Sequence, residues 1–253
     1  MSINREHLLQ HIPDEKILTL KKLVDKIEIV INKHEILSTD FLDPYEVELH
    51  KSILNRFSEI SYSIWGGFKE AERQSILIYP QYMFKCDYPI NKFSLEKINI
   101  SHKDILGALL GLGIAREKIG DIVINDDYIH FFVKSEISKY IEFNLKKIGR
   151  FNISFCDANF YYKENEYNNF NIIISSLRLD AFISAVTKES RSTALKLVQS
   201  GRVKVNFKTE YKSNFNLSEN DLISIRKYGR FIFHKIENKT KKDKYVIIVR
   251  VPK

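Results

Sequence analysis

The chain has 253 residues, 44% hydrophobic and 28% charged, a composition that supports one large domain or two to three small ones and excludes a predominantly disordered polymer. No run approaches the ~18 to 20 apolar residues of a membrane span, and Met1 to Pro13 lacks the apolar core of a secretory signal, so a cytoplasmic protein with no membrane partner is expected. The net charge of +8 is unevenly placed: Ile172 to Lys253 holds 18 Lys+Arg against 7 Asp+Glu, while Met1 to Asn171 is slightly acidic, which points to a polyanion as partner of the last third.

Ile17, Leu20, Val24, Ile27 and Ile31 recur at spacings of three and four, predicting an amphipathic helix. A second helix opens at Asp43: the aspartate caps, Pro44 suits the first helical position, and Glu46 closes a capping box. Leu42 and Val47 take the staple positions. Leu49, Ile53, Leu54, Phe57 and Ile60 keep the period, so this helix is expected to run on and stop before Gly66-Gly67. Residues 1–74 therefore read as an N-terminal helical region.

From Ser75 the period changes. The expected order is strand (Ser75 to Pro80), strand (Glu96 to Ile100), helix (His102 to Leu112), strand (Ile119 to Asn125), strand (Tyr128 to Val133), helix (Ser135 to Ile148) and strand (Phe151 to Cys156). The fold class is thus α+β, with a central βαββαβ domain, RRM-like or ferredoxin-like, over residues 75–158. Tyr128, His130 and Phe132 share one strand face, and Ile129, Phe131 and Val133 the other. Either face packs as core or stacks bases, although neither central strand matches the aromatic RNA-stacking motifs. Gly107, Gly111 and Gly113 fall within and just after a helix, where close packing and a helix stop explain them. Arg116 to Gly120 reads as an exposed polar loop that either touches RNA or turns the chain. Cys86 and Cys156 stand far apart and read as small buried side chains; no metal site and no cofactor are expected. The asparagine-rich stretch 159–171 has no clear period and reads as a linker.

The basic part, 172–253, has an informative pattern. Arg178 to Val186 and Ser190 to Gly201 read as two short helices, the second capped by Ser190. Arg202 to Asn206 and Glu219 to Arg226 read as strands, with Val203 and Val205 on one side and Lys204 on the other. Ser190, Arg191, Ser192 and Thr193 put hydroxyls, a guanidinium and first-turn amides where a phosphate can sit, and Arg178, Lys204, Arg226 and Arg230 can complete a basic rim. Asp180 could instead neutralise Arg178 or Arg191 internally. Lys239, Lys241, Lys242 and Lys244 read as a solvated hairpin loop.

The run Arg178-Leu179-Asp180, Arg191-Ser192, Ala194, Leu197-Val198, Gly201, Val203, Val205-Asn206, Asp221, Ile223-Ser224, Arg226 and Gly229-Arg230 closely resembles the S4 RNA-binding domain. It departs from that pattern at Phe207, where a glycine often follows the asparagine, and at Thr193, where a basic residue is frequent. Upstream, Thr39 to Glu46, Gly66 to Arg73 and the glycine-containing run Asp104 to Asp121 resemble the bacterial YlmH-type S4-domain proteins, a resemblance spanning nearly the whole chain. It implies an N-terminal domain, a central RRM-like domain and an S4 module with no catalytic activity assigned. It also implies ribosomal RNA of the large subunit as partner, with tRNA, in rescue or quality control of stalled translation. The alternative is an S4-linked RNA-modifying enzyme. Arg178-Leu179-Asp180 superficially matches the catalytic tripeptide of pseudouridine synthases but opens a helix here, and the glycines lack the strand-to-helix setting that a methyltransferase cofactor needs.

Overall fold

A computed structural model describes residues 8–10, 12–83, 87–164 and 166–252. They fall into two compact units, residues 1–163 and 164–253. The fold is α+β, with six α-helices and four antiparallel sheets among the described residues. None of those helices is long and apolar enough to cross a membrane.

In the first unit, the helix Asp14–Lys33 buries Leu20, Leu23, Val24, Ile27 and Val30 along one stripe. The helix Pro44–Leu54 starts as its sequence dictates. The Asp43 carboxylate accepts from the Glu46 amide at 2.9 Å, the Glu46 carboxylate accepts from the Asp43 amide at 2.9 Å, and Leu42 and Val47 are buried in one cluster. This helix ends at Leu54, well short of the expected stop at Gly66. The apolar residues beyond it obey two periods at once, and the shorter one wins. Ile60, Tyr62 and Ile64 alternate with Ser61, Ser63 and Trp65, and the alternation forms a strand whose first set packs on the helices.

The supposed helical region thus carries a sheet of β1 (Leu37–Ser38), β2 (Ile60–Trp65) and β3 (Ser75–Pro80), in the order β1-β3-β2. Ser75–Pro80, expected to open the central domain, instead pairs with β2 along six residues.

The central sheet has β4 (Ile90–Glu96), β5 (Ile119–Ile124) and β6 (Tyr128–Lys134) in the order β4-β6-β5. The strand expected at Glu96–Ile100 lies upstream, because Ser101 and Asp104 form a capping box that commits the following residues to the helix His102–Gly111. The helix expected over Ser135–Ile148 covers only Ser138–Asn144. A tight hairpin of β7 (Lys147–Ile148) and β8 (Phe151–Asn152) replaces its end, turning through Gly149 at φ +58°. The last strand of the expected βαββαβ is reduced to one bridge, Ser94 to Cys156. Cys156 is half-buried, and Cys86 lies outside the described residues. A methyl group added at Gly107 or Gly111 would meet nothing within 4 Å, so the close packing expected there is not found.

Leu95, Ile129, Phe131 and Val133 pack on Ile105, Leu109 and Ile141 of the helices. Aromatic rings cover most of the other sheet face. Phe132 joins Phe41, Phe68 and Ala71, with ring centroids 5.2 Å from Phe68 and 5.3 Å from Phe160. His130 is buried, hydrogen-bonded to Ser94 at 2.9 Å, with Phe160 edge-on at 5.2 Å. Gly67 and Gly120 permit this closeness: a Cβ at Gly67 would lie 2.2 Å from the Phe132 ring, and one at Gly120 2.7 Å from Phe41.

A polar seam joins the same surfaces. The Arg73 guanidinium donates to the carbonyls of Phe41 and Ile119, and Asp121 accepts from the Glu72 amide at 2.6 Å. Arg116 to Gly120, expected as an exposed loop, belongs to this seam. The Glu117 carbonyl accepts from the Phe41 amide, and Lys118 pairs with Asp40 and Glu136.

The second unit contains β9 (Tyr167–Ile174), the helices Leu179–Thr187 and Arg191–Gln199, then β10 (Val203–Val205), β11 (Lys208–Thr209), β12 (Asp221–Ile225), β13 (Gly229–Lys239) and β14 (Tyr245–Pro252). They make one six-stranded sheet in the order β11-β10-β12-β13-β14-β9. Residues 167–171, expected as linker, are therefore strand. Ile172 and Ile174, two apart, pack on the core beneath the helices and fix the register of the asparagines before them. Leu179, Phe182, Ile183, Ala194, Val198, Val203 and Ile223 are fully buried in that core.

Lys134 sits in the seam of the first unit with 3% of its surface exposed, donating to Ser38 Oγ at 2.8 Å, the Thr39 carbonyl at 2.9 Å and Ser75 Oγ at 3.2 Å. Burial pushes its amine down to about 8. In the unfolded chain a lysine stays charged to about pH 10.4, so between the two values the unfolded state binds more protons and stability rises with pH. Below the lower value the amine is charged in both states and its desolvation opposes folding in full. Replacing Lys134 by Met lifts that desolvation and orphans neither Thr39 nor Ser75, whose hydroxyl donates to the Thr39 carbonyl at 2.7 Å, so stability at neutral pH is expected to hold or rise. It should also abolish the part of the stability gain between pH 8 and 10 that belongs to this amine. Urea unfolding of both proteins across that range checks it.

Candidate nucleic-acid interface

Arg178 occupies the cap position of the helix Leu179–Thr187, and Arg191 is the first residue of the next. The connection folds them toward one buried carboxylate. Arg178 Nε and Nη2 donate to Asp180 at 3.1 and 3.2 Å, and Arg191 Nη2 lies 3.5 Å from Asp180 Oδ2. Only 9% of the Asp180 side chain is exposed, against 43% for Arg178 and 57% for Arg191. The carboxylate also accepts from the Ala181 amide at 3.0 Å. Both arginines therefore are the internal pair, and both still face water. One buried negative charge fixes two positive ones at the surface, leaving a net positive site with oriented guanidinium forks.

Ser192 and Thr193 stand beside them in the first turn. Ser190 Oγ accepts from the Thr193 amide at 3.1 Å and contacts the hydroxyls of Ser192 at 2.8 Å and Thr193 at 3.0 Å. The amides of Arg191 and Ser192 have no acceptor within the helix, as in any first turn, and the helix dipole adds to the positive field there. Arg178, Arg191, Ser192 and Thr193 thus form one group.

Lys204 and Arg230 form another. Across the sheet Lys204 pairs with Ser224, which pairs with Arg230, so the three lie in one row. Val203, Val205, Ile223 and Ile225 point to the opposite, buried side. Arg226 lies in the turn between β12 and β13, its amide donating to the Arg202 carbonyl at 2.9 Å. In the same turn, Tyr228 Oη donates to Glu189 Oε1 at 3.0 Å, just before the Ser190 cap, and this bond raises the tyrosine pKa. It ties the turn carrying Arg226 to the start of the helix carrying Arg191. The loop lysines 241, 242 and 244 lie in and beside the β13–β14 turn, away from either row of contacts described above, and Lys239 pairs with Asp243 at 2.8 Å.

Phe207, a mere departure from pattern in the sequence, has a place in this site. Asn206 and Phe207 have φ of 48° and 68°, the signature of a two-residue turn that usually ends in glycine. The turn is kept, Val205 pairing with Lys208, and the phenylalanine bears the left-handed strain of about 1–2 kcal/mol. Its ring lies under Arg230, with Cζ 5.6 Å from the centroid. Tyr228 was missed for a different reason, since its role is set by a contact with a residue 39 positions away.

Phe207→Gly relieves the strain while removing the ring, whereas Phe207→Ala keeps the strain. The alanine variant is expected to be less stable than the glycine variant by about 1 kcal/mol. Equal midpoints in urea unfolding would show that the turn relaxes on truncation.

Residues 15–83 match a family model described as "YlmH, N-terminal", residues 79–161 one described as "Putative RNA-binding domain in YlmH", and residues 177–223 the S4 domain. Ribosome-associated protein quality control protein P2 of Bacillus subtilis (strain 168) is 29% identical over 249 residues, covering 94% of this chain and 96% of that protein. A solved structure titled cell division protein ylmH from Streptococcus pneumoniae superimposes with a TM-score of 0.53 at 26% identity, covering 59% of this chain and 94% of that one. With adjoining matches across both units and a relative aligned end to end, the chain belongs to the YlmH family of S4-domain RNA-binding proteins.

Proposed function

We propose that this chain is a non-catalytic RNA-binding protein whose S4 module grips structured ribosomal RNA of the large subunit. In this reading it works in the cytoplasm together with tRNA, in rescue or quality control of stalled translation. The observation that carries the reading is the pair of surface guanidiniums held by buried Asp180 at the open start of the helix Arg191–Gln199. Phosphate oxygens fit such a fork, and the excess of 18 basic over 7 acidic residues in this part supplies counterion release. Arg178, Arg191, Ser192 and Thr193 form the primary contact, with Lys204, Arg226 and Arg230 as the second row. The name of the Bacillus subtilis relative supports the ribosomal setting. The central three strands, with the Ser94 to Cys156 bridge standing for a fourth, support an RRM-like, split βαβ reading of that domain.

The enzymatic alternative would need a carboxylate free to attack a base. Asp180 is instead buried and engaged by two arginines and an amide, which favours a structural role.

Arg191→Ala is expected to lower the slope of log affinity for ribosomal RNA against log salt by about 0.7 to 0.9, with a modest fall in melting temperature because Arg178 still engages Asp180. A parent-like slope with a lowered melting temperature would assign Arg191 to the fold alone. Altered nucleosides in RNA incubated with the protein would favour the enzyme.

A further inference from the structure

Phe132, Phe68 and Phe160 close over most of the side that RNA-recognition sheets use. The same packing leaves an opening over the β4 edge of that side. A cleft of about 770 Å³, large enough for a nucleotide, is lined by Ile64 and Trp65 of β2, by Tyr88, by Lys92 of β4, and by Phe132 and Phe160 at its floor. Trp65 is 38% exposed, an uncommon position for a large apolar ring. Its centroid lies 6.5 Å from that of Tyr88, with the planes tilted by 42°. Rings at that separation and tilt contact each other, so the exposed face of Trp65 is the surface on which a further planar ring can stack.

The rest of the lining is suited to a nucleotide. Lys92 Nζ donates to the Ala158 carbonyl, which fixes the ammonium at the rim while a lysine retains further donors and its charge for an anion. Asp87, also on the lining, can accept from the exocyclic amine of a base.

We propose that this cleft is a second RNA contact, which takes a single unpaired nucleotide bearing an exocyclic amine. Its base stacks on the exposed face of Trp65, beside Tyr88, and its phosphate meets Lys92. The proposal rests on the RNA-binding reading above and adds a stacking site to a surface gripped elsewhere by phosphate contacts.

Trp65 is the sole tryptophan of the chain, so its fluorescence reports on the cleft directly. Titrating the full chain with a short, unstructured oligoadenylate is expected to quench that fluorescence saturably. Tyr88→Ala should weaken the interaction about tenfold or more. Lys92→Gln should weaken it as well, and serves if Tyr88→Ala lowers the melting temperature. Arg191→Ala, which removes a phosphate contact of the S4 module, should weaken total binding but keep the full quenching at saturation. Quenching that is lost in Arg191→Ala but kept in Tyr88→Ala would overturn the proposal by placing the signal in the S4 module. Lack of quenching while the chain still binds a structured ribosomal RNA fragment would overturn it and leave the S4 reading standing. Failure to bind either RNA would remove the reading on which it rests. A photocrosslinker at position 87 that captures protein and no RNA in cells would assign the cleft to a protein partner and overturn it likewise.

Discussion

A carboxylate nearly sealed from water is costly unless positive groups reach it, and Asp180 recruits two. That constraint places the cap residue of one helix and the first residue of the next against each other, so the loop between them has little freedom. The arginines are structural on their inner side and available on their outer side. Removing Asp180 would free them but also disorder them. A mobile arginine must lose its rotamer freedom when it binds, whereas one already oriented has lost it on folding. The charge excess of the module accounts for attraction at a distance, and the shared carboxylate accounts for the geometry on contact.

In the first unit the decisive constraint is the aromatic cluster around Phe132. A sheet with helices on one face ordinarily leaves the other open to a ligand. Here Gly67 and Gly120 bring backbone and rings into contact across that face, and the seam of Arg73, Asp121, Lys118 and Lys134 satisfies the polar groups buried along its edge. Strand order alone would have suggested a base-stacking surface. The side chains that fill it show why a fold does not fix a function.

Where the sequence was legible, a single local interaction decided the outcome. The capping box at Asp43, the cap at Ser190 and the alternation of Val203 to Val205 form as written because each is settled within a few residues. The errors share a different cause. Ile60 and Ile64 fit helical and strand spacing alike, and only the partner strand Ser75–Pro80 chose between them. Tyr167–Asn171, rich in asparagine, became strand because Tyr245–Pro252 offered a partner, which no local propensity foretells. In the candidate site the residue types were readable, and so was the Asp180 pairing as one of two options. The placement of Phe207 beneath Arg230 depended on β13 lying beside β12, a long-range fact.

The edge strand Tyr167–Ile174 carries a lesson for how the S4 module is defined. The family match spans residues 177–223, yet the sheet continues through eight registered pairs between Tyr167 to Ile174 and Tyr245 to Pro252. Cutting the polypeptide at the first residue of the match while keeping everything after it would strip the outermost ribbon and strand the hydrogen-bonding groups of its neighbour. It would also unroof Ile247 and Val249, both now inaccessible to solvent. The smallest piece that can fold as a unit therefore begins ahead of Tyr167, and the motif is a segment of that piece instead of its border.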